Sequence, residues 1–176
     1  ASCSFGQSSK ITPIQMLTAV SAIVNGGHLM QPYGVEKVID ANGKVVSHTV
    51  PIEKRQVISE ETSAIMCSMM ETVVATGTGR NAYVAGYRVG GKTGTSQKLD
   101  SADENARIAS FVGIAPADDP KIAVLVALDE PHTFTTSGSV LAAPVVAKVI
   151  EDTLTYYGVE RQYTFDEQTK MQATVS

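Results

Sequence analysis

The chain has 176 residues, enough for one domain or a large part of one; a folded unit of that size buries about 70% of the surface that its extended form exposes. With 43% hydrophobic residues, 18% charged residues and a net charge of −4, the composition is globular and excludes a disordered chain, and no Lys/Arg cluster marks a nucleic-acid face. No apolar run approaches the ~20 residues that cross a bilayer and no signal peptide is recognisable, so any membrane anchor is expected outside this segment, which itself has no membrane contact.

In chain order, the first element is a helix. Thr12 is a good N-cap, Pro13 suits the first helical position, and Gln15 completes a capping box. Ile14, Met16, Leu17, Ala19, Val20, Ile23 and Val24 make its body mostly buried, and Gly26-Gly27 ends it. Residues 35–40 and 44–50 are rich in β-formers and flank Asn42-Gly43, the strongest short hairpin signal. A second helix is expected from Ser59, with Glu60 and Glu61 where the helix dipole favours acid. Ile65, Met66, Met69, Met70, Val73 and Val74 form its apolar face, and the methionines read as core, not as ligands. Residues 76–81, T-G-T-G-R-N, read as a loop.

Three strands follow, over 87–95, 108–115 and 121–128. Asp118-Asp119-Pro120 turns tightly between the last two, which predicts antiparallel neighbours, and the polar link 96–107 is expected to be mobile. A final helix over about 143–157 has Pro144 in its first turn, buries Val145, Val146, Val149, Ile150 and Leu154, and uses Gly158 beyond its end. The polar tail after Val159 reads as a linker or an exit, so the expected division is a domain portion over 1–160 and a tail over 161–176.

Cys3 and Cys67 lie far apart with no C-x-x-C pair, which argues against zinc or a dithiol centre. One disulfide or two unpaired thiols both remain open, the second being the plainer reading. His28, His48 and His132 are scattered surface or loop histidines, and Asp129, Glu130 and His132 have no metal-ligand spacing. Asp103, Glu104, Asp118 and Asp119 read as solvated turn residues. No metal or cofactor is implied.

The most informative run is Gly91-Lys92-Thr93-Gly94-Thr95. Gly90, Gly91 and Gly94 thin the strand, so that a ligand or another backbone can approach it. Lys92 supplies a positive charge, and the hydroxyls of Thr93 and Thr95 suit an anionic carboxylate. An edge strand of this kind pairs with an extended peptide by strand addition and can aim a backbone N–H at a developing oxyanion.

A rival pattern overlaps it. Gly86 through Thr93 satisfies G-x-x-x-x-G-K-T, and the apolar run ending in Asp129-Glu130 looks like the acidic strand that accompanies a phosphate loop. The surroundings argue against nucleotide binding. A phosphate loop needs a strand before its first glycine and a helix starting at Lys-Thr. Here the approach to Gly86 is loop-like, and Gly94-Thr95-Ser96-Gln97 leads into a polar stretch with no helical period.

Lys92-Thr93-Gly94 followed by Thr95-Ser96-Gln97 resembles the third signature of the penicillin-binding proteins. Four other segments agree in order: Phe5-Gly6-Gln7 leading to Ile11-Thr12-Pro13-Ile14-Gln15, Ser110 to Pro116, Asp129-Glu130-Pro131, and Ala142-Ala143-Pro144-Val145. The resemblance thus covers nearly the whole chain. It matches the monofunctional, class B type, and the ending Thr155-Tyr156-Tyr157-Gly158-Val159 is similar to that of a sporulation-specific transpeptidase of this class.

The resemblance implies an α/β (α+β) fold, an antiparallel sheet covered by helices, of which this chain is the C-terminal portion. It implies a peptidoglycan D,D-transpeptidase that cross-links stem peptides ending in D-Ala-D-Ala through a serine acyl-enzyme and is trapped by β-lactams. By position, Lys92 and Thr95 are the catalytic residues: Lys92 sets the field around the reacting hydroxyls, and the Thr95 N–H is one oxyanion donor. Thr93, Gly94 and Thr95 bind substrate. The family also needs S-x-x-K and S-x-N, and neither motif occurs in this sequence. The nucleophile is therefore expected in an upstream half of the same domain, with this chain a piece of a larger protein, inactive alone and leaving apolar sheet and helix faces exposed. A non-catalytic binding or structural homologue of the same fold is the alternative. The parent is expected at the extracytoplasmic face of the cell membrane, held by an upstream helix.

Overall fold

The computed structural model describes residues 10–98 and 101–162. Helix α1 (Pro13–Val24) starts where its capping residues place it: the Thr12 N–H donates to Gln15 Oε1 at 2.8 Å while Thr12 Oγ1 accepts the Gln15 N–H at 3.3 Å. After the glycine turn, β1 (His28–Met30) pairs antiparallel with β4 (Glu53–Gln56). These two strands carry no legible signal, because three or four residues of mixed polarity show no alternation.

Between them lies the expected hairpin, β2 (Lys37–Ile39) with β3 (Val45–His48). Its turn is wider than a two-residue Asn-Gly turn. The Asp40 carboxylate accepts the N–H groups of Asn42 and Lys44, the Gly43 N–H returns to Asp40 O, and only Gly43 takes a positive φ, 82°.

Helix α2 (Glu60–Ala75) is capped by Ser59, whose Oγ accepts the Thr62 N–H at 3.1 Å. The buried stripe is Ser63, Cys67, Met70 and Val74, whereas Ile65 and Met69 are 50% and 58% exposed. The expected apolar face is therefore rotated. Polar Ser63 is accommodated inside because its Oγ accepts the Gly26 N–H at 3.0 Å. Cys67 is a buried free thiol whose pKa burial pushes up, while Cys3, the Phe5-Gly6-Gln7 segment and the tail from Tyr163 lie outside the described residues. A single 3₁₀ turn, Arg80–Ala82, interrupts the expected loop.

The main sheet contains β5 (Gly90–Gln97), β6 (Arg107–Ala115) and β7 (Ile122–Asp129), in that order and all antiparallel. Tyr87 and Val89, expected in the first strand, are core residues just ahead of it, each 3% exposed. The link between β5 and β6 is shorter than expected: the ladder runs to Gln97↔Arg107, and the Lys98 N–H still donates to Ala106 O. A short helix α3 (Gly138–Leu141), missed in the sequence, leads into α4 (Ala143–Tyr156).

Val146, Ile150 and Leu154 of α4 are fully buried, but Val145 and Val149 are 46% and 39% exposed, because they fall on the far side of the i, i+4 stripe. Gly158 ends the helix at φ 68°, with Val159 N–H on Leu154 O and Gly158 N–H on Thr155 O, a Schellman closure.

The sheet is packed on both faces. Phe111 and Ala115 meet Val146, Ile150 and Leu154 of α4, while Val112 and Ile114 meet Val24 of α1 and Cys67 and Met70 of α2. The fold is α+β, an antiparallel sheet covered by helices. Apolar side chains also face outward, with Ile11 and Ile14 beside and on α1 51% and 54% exposed. Among the described residues, no helix is long and apolar enough to cross a membrane.

Candidate active site

Among the described residues β5 is an edge strand, so half of its backbone groups have no strand partner there. The parity of that half follows from two hydrogen bonds. The Lys98 N–H points to Ala106 on the β6 side, and Arg88 O accepts the Ala117 N–H on the same side. The register from Gly90↔Ile114 to Gln97↔Arg107 has no shift, so even-numbered residues direct their backbone groups at β6. Gly91, Thr93, Thr95 and Gln97 therefore present N–H and C=O along the open edge. Lys92 agrees: its exposed ammonium donates to Thr93 O at 3.0 Å, on that open side, and lies 3.4 Å from Thr93 Oγ1.

The glycines serve the protein's own packing. A Cβ on Gly91 would stand 2.4 Å from the Phe111 ring, and one on Gly94 would stand 2.5 Å from Ser110 Oγ. They let β5 lie close over the β6 side chains. Thr93 is half-buried and Thr95 exposed. Thr95 Oγ1 faces the first N–H of α3, that of Gly138, at 3.5 Å.

Gly138 is a site residue that the sequence did not reveal. Its α-carbon sits so near the sheet that a Cβ would be 2.0 Å from Ser110 O and 2.7 Å from Gly94 O. The only hint was a Ser-Gly pair ahead of the last helix, and nothing local said what it would touch.

The far end of the strand is tied down by charge. Lys98 Nζ lies 2.9 Å from Asp129 Oδ2 and 2.9 Å from Glu130 Oε1, and the hydrogen bonds of Glu130 and Asp129 raise its pKa. Glu130 holds a positive φ of 47° while its N–H donates to Arg107 O, so this residue turns the chain back over the strand ends. Asp129 and Glu130 are thus ion-pair partners. Among the described residues no group of three His, Cys, Asp or Glu side chains is arranged to hold a metal. His28 pairs with Glu53 at 2.9 Å, away from β5.

The phosphate-loop pattern does not become a phosphate loop. Lys92 and Thr93 lie in the middle of β5, no helix begins there, and the chain ahead of Gly86 is a 3₁₀ turn and loop.

The family model described as penicillin binding protein transpeptidase domain matches residues 1–151. Stage V sporulation protein D of Bacillus subtilis (strain 168) is 51% identical over 163 residues, covering 91% of this chain and 25% of that protein. The probable peptidoglycan D,D-transpeptidase FtsI of Caulobacter vibrioides is 37% identical over 179 residues, covering 92% of this chain and 29% of that protein. The apo TP domain of penicillin-binding protein 3 from Burkholderia pseudomallei superposes with a TM-score of 0.76 at 35% identity, covering 92% of this chain and 47% of that one. The chain therefore spans between 25% and 29% of the length of these two curated relatives.

Proposed function

Because the chain belongs to the penicillin-binding protein transpeptidase family, we propose that it forms the substrate-binding wall of a serine-type D,D-transpeptidase. The observation that carries this reading is the open edge of β5, where Thr93 and Thr95 present outward backbone groups beside the Lys92 ammonium and two threonine hydroxyls.

A stem peptide ending in D-Ala-D-Ala lies along that edge as an added strand, with its terminal carboxylate on the Thr93 and Thr95 hydroxyls near Lys92. Gly94 keeps the strand low between them. A serine from outside this chain attacks the penultimate carbonyl. Charge develops on the carbonyl oxygen, and the Thr95 N–H stabilises it; losing one such donor costs about 10²–10³ in rate in other acyl-transfer enzymes. Collapse expels D-Ala and leaves an ester on the serine. An amine from a neighbouring stem then attacks the ester, forming the cross-link and freeing the serine. A β-lactam enters by the same contacts and stays as the ester.

In this reading the domain portion is 1–160 and the polar tail begins at 161, with its first two residues, Arg161 and Gln162, still packed on the domain. Its partners are stem peptides, β-lactams and the upstream half of the domain. Its place is the extracytoplasmic face of the cell membrane, where the substrate is, and the identity to a protein named for sporulation supports a role in that process.

The test is covalent. The protein that carries this chain and its upstream half, treated with penicillin and digested, is expected to bear the penicilloyl group on a serine outside residues 1–176. A labelled peptide from within this chain, or no label at all, overturns the reading.

A further inference from the structure

Beyond the end of α4 the chain does not leave the body at once. The left-handed turn at Gly158 sends residues 159–162 back across the segment that precedes β5. Tyr87, 3% exposed, donates its hydroxyl to Val159 O at 2.9 Å. The Arg161 guanidinium lies 5.0 Å from the centre of the Tyr87 ring, donates to Ala85 O, and reaches Glu151 of α4 at 2.7 Å. The Gln162 N–H donates to Gly86 O at 2.7 Å, and its side chain donates to Asp118 Oδ2 at 3.1 Å.

Gly86 is built for this contact. It has a φ of 87°, and a Cβ there would lie 2.8–2.9 Å from the Arg161 side chain. The first glycine of the phosphate-loop pattern is thus accounted for by docking of the returning chain.

The segment it docks on is the entry to β5. Arg88 makes a bidentate pair with Glu71 of α2 at 2.7 and 2.6 Å and a third contact with Asp118 at 3.1 Å. β5 begins Gly90-Gly91, has a third glycine at Gly94 and, among the described residues, pairs on one side only. Glycines give a strand few side chains by which neighbours can grip it, so beyond the ladder to β6 and the close packing at Gly91 and Gly94 the position of β5 depends on its ends. Lys98 holds one end, and the 85–88 segment holds the other.

We propose that residues 159–162 are a strap that fixes the entry to the active-site strand, making Arg161 and Gln162 positioning residues for Lys92, Thr93 and Thr95. The assignment of those three residues rests on the transpeptidase reading; the mechanical link between the strap and β5 does not.

The test uses the intact protein that carries this chain, as wild type, R161A and Y87F. Amide hydrogen exchange over 90–97 is compared with 122–129 as an internal reference, and the rate constant for acylation by a fluorescent penicillin is measured per titratable site. In R161A the β5 amides are expected to exchange about tenfold faster with β7 unchanged. Acylation per site is expected to slow about five- to tenfold, since small misplacement of a binding group is costly. Y87F, which removes one hydrogen bond and keeps the ring, is expected to shift both in the same direction by less.

Unchanged β5 exchange in R161A overturns the strap. Faster exchange with an unchanged rate per site, or fewer active sites at the wild-type rate, overturns the positioning role, because a purely structural contribution would produce those results. Absence of acylation in the wild type defeats the transpeptidase reading, and the exchange comparison then still decides the strap.

Discussion

Thr95 faces two ways. Its main chain belongs to the open edge of β5, while its hydroxyl leans toward the first N–H of α3. Replacing it with valine keeps the β-branched shape and the backbone donor and removes only the hydroxyl. Thr95→Val is expected to slow acylation by carboxylate-bearing β-lactams about tenfold, the worth of a charge-assisted hydrogen bond, with little change in melting temperature. Acylation rate and thermal unfolding on one preparation check both halves. Gly138→Ala addresses the neighbouring contact. Its methyl would overlap Ser110 O and Gly94 O, so α3 must lift or the sheet must shift, at about 1–3 kcal/mol by urea denaturation, with slower acylation of the folded fraction. Lys92, Thr93 and Thr95 could be singled out in the sequence as candidates because their chemistry falls within four residues of one strand, and the structure places all three on β5. Gly138 was not, because its role is defined by atoms of Ser110 and Gly94, far away in the chain.

The elements that the sequence revealed are those whose own residues carry the stop and start signals. α1 is the clearest, and Thr12→Ala, which removes the hydroxyl that accepts the Gln15 N–H and keeps the backbone N–H on Gln15 Oε1, is expected to cost about 1 kcal/mol without touching β5. The turn of the β2–β3 hairpin was legible as a turn but not in its geometry, since the Asp40 carboxylate widens it. Gly43→Ala, at a φ of 82°, is expected to destabilise that turn by about 1 kcal/mol and leave acylation unchanged; comparison of unfolding with acylation decides it. β1, β4 and α3 escaped notice because elements of three or four residues exist through their tertiary partners. α2 shows the same limit from the other side: its apolar residues cover more than one face, and packing against α1 and β5 selected the stripe through Ser63 and Cys67.

At the scale of the whole molecule, four separate parts converge on Arg88 and Asp118: α2 through Glu71, the entry to β5, the turn between β6 and β7, and the chain beyond α4 through Gln162. Burial pushes the Asp118 carboxyl up, but the hydrogen bonds from Gln162 and its own backbone and the Arg88 charge outweigh it and hold the group below its ordinary 3.8. A carboxylate with a depressed folded pKa adds stability that is present above its unfolded pKa and is lost as the pH falls through the folded one. Wild type is therefore expected to melt higher than Asp118→Asn at neutral pH, and the gap is expected to close as the pH drops below 3.8. Melting curves across that range check it.

The outward groups of β5 belong to the main chain, and this constrains how the site can change over generations. No side-chain replacement removes an N–H at Thr93 or Thr95 short of proline, so selection by an inhibitor that uses these donors has little to delete. It can only move them. On the transpeptidase reading proposed above, reduced drug capture is expected to run through the positions that set where the strand lies, Gly91, Gly94, Gly138, Lys98 and the Arg88 cluster, and a shift at any of them is expected to displace the substrate along with the inhibitor.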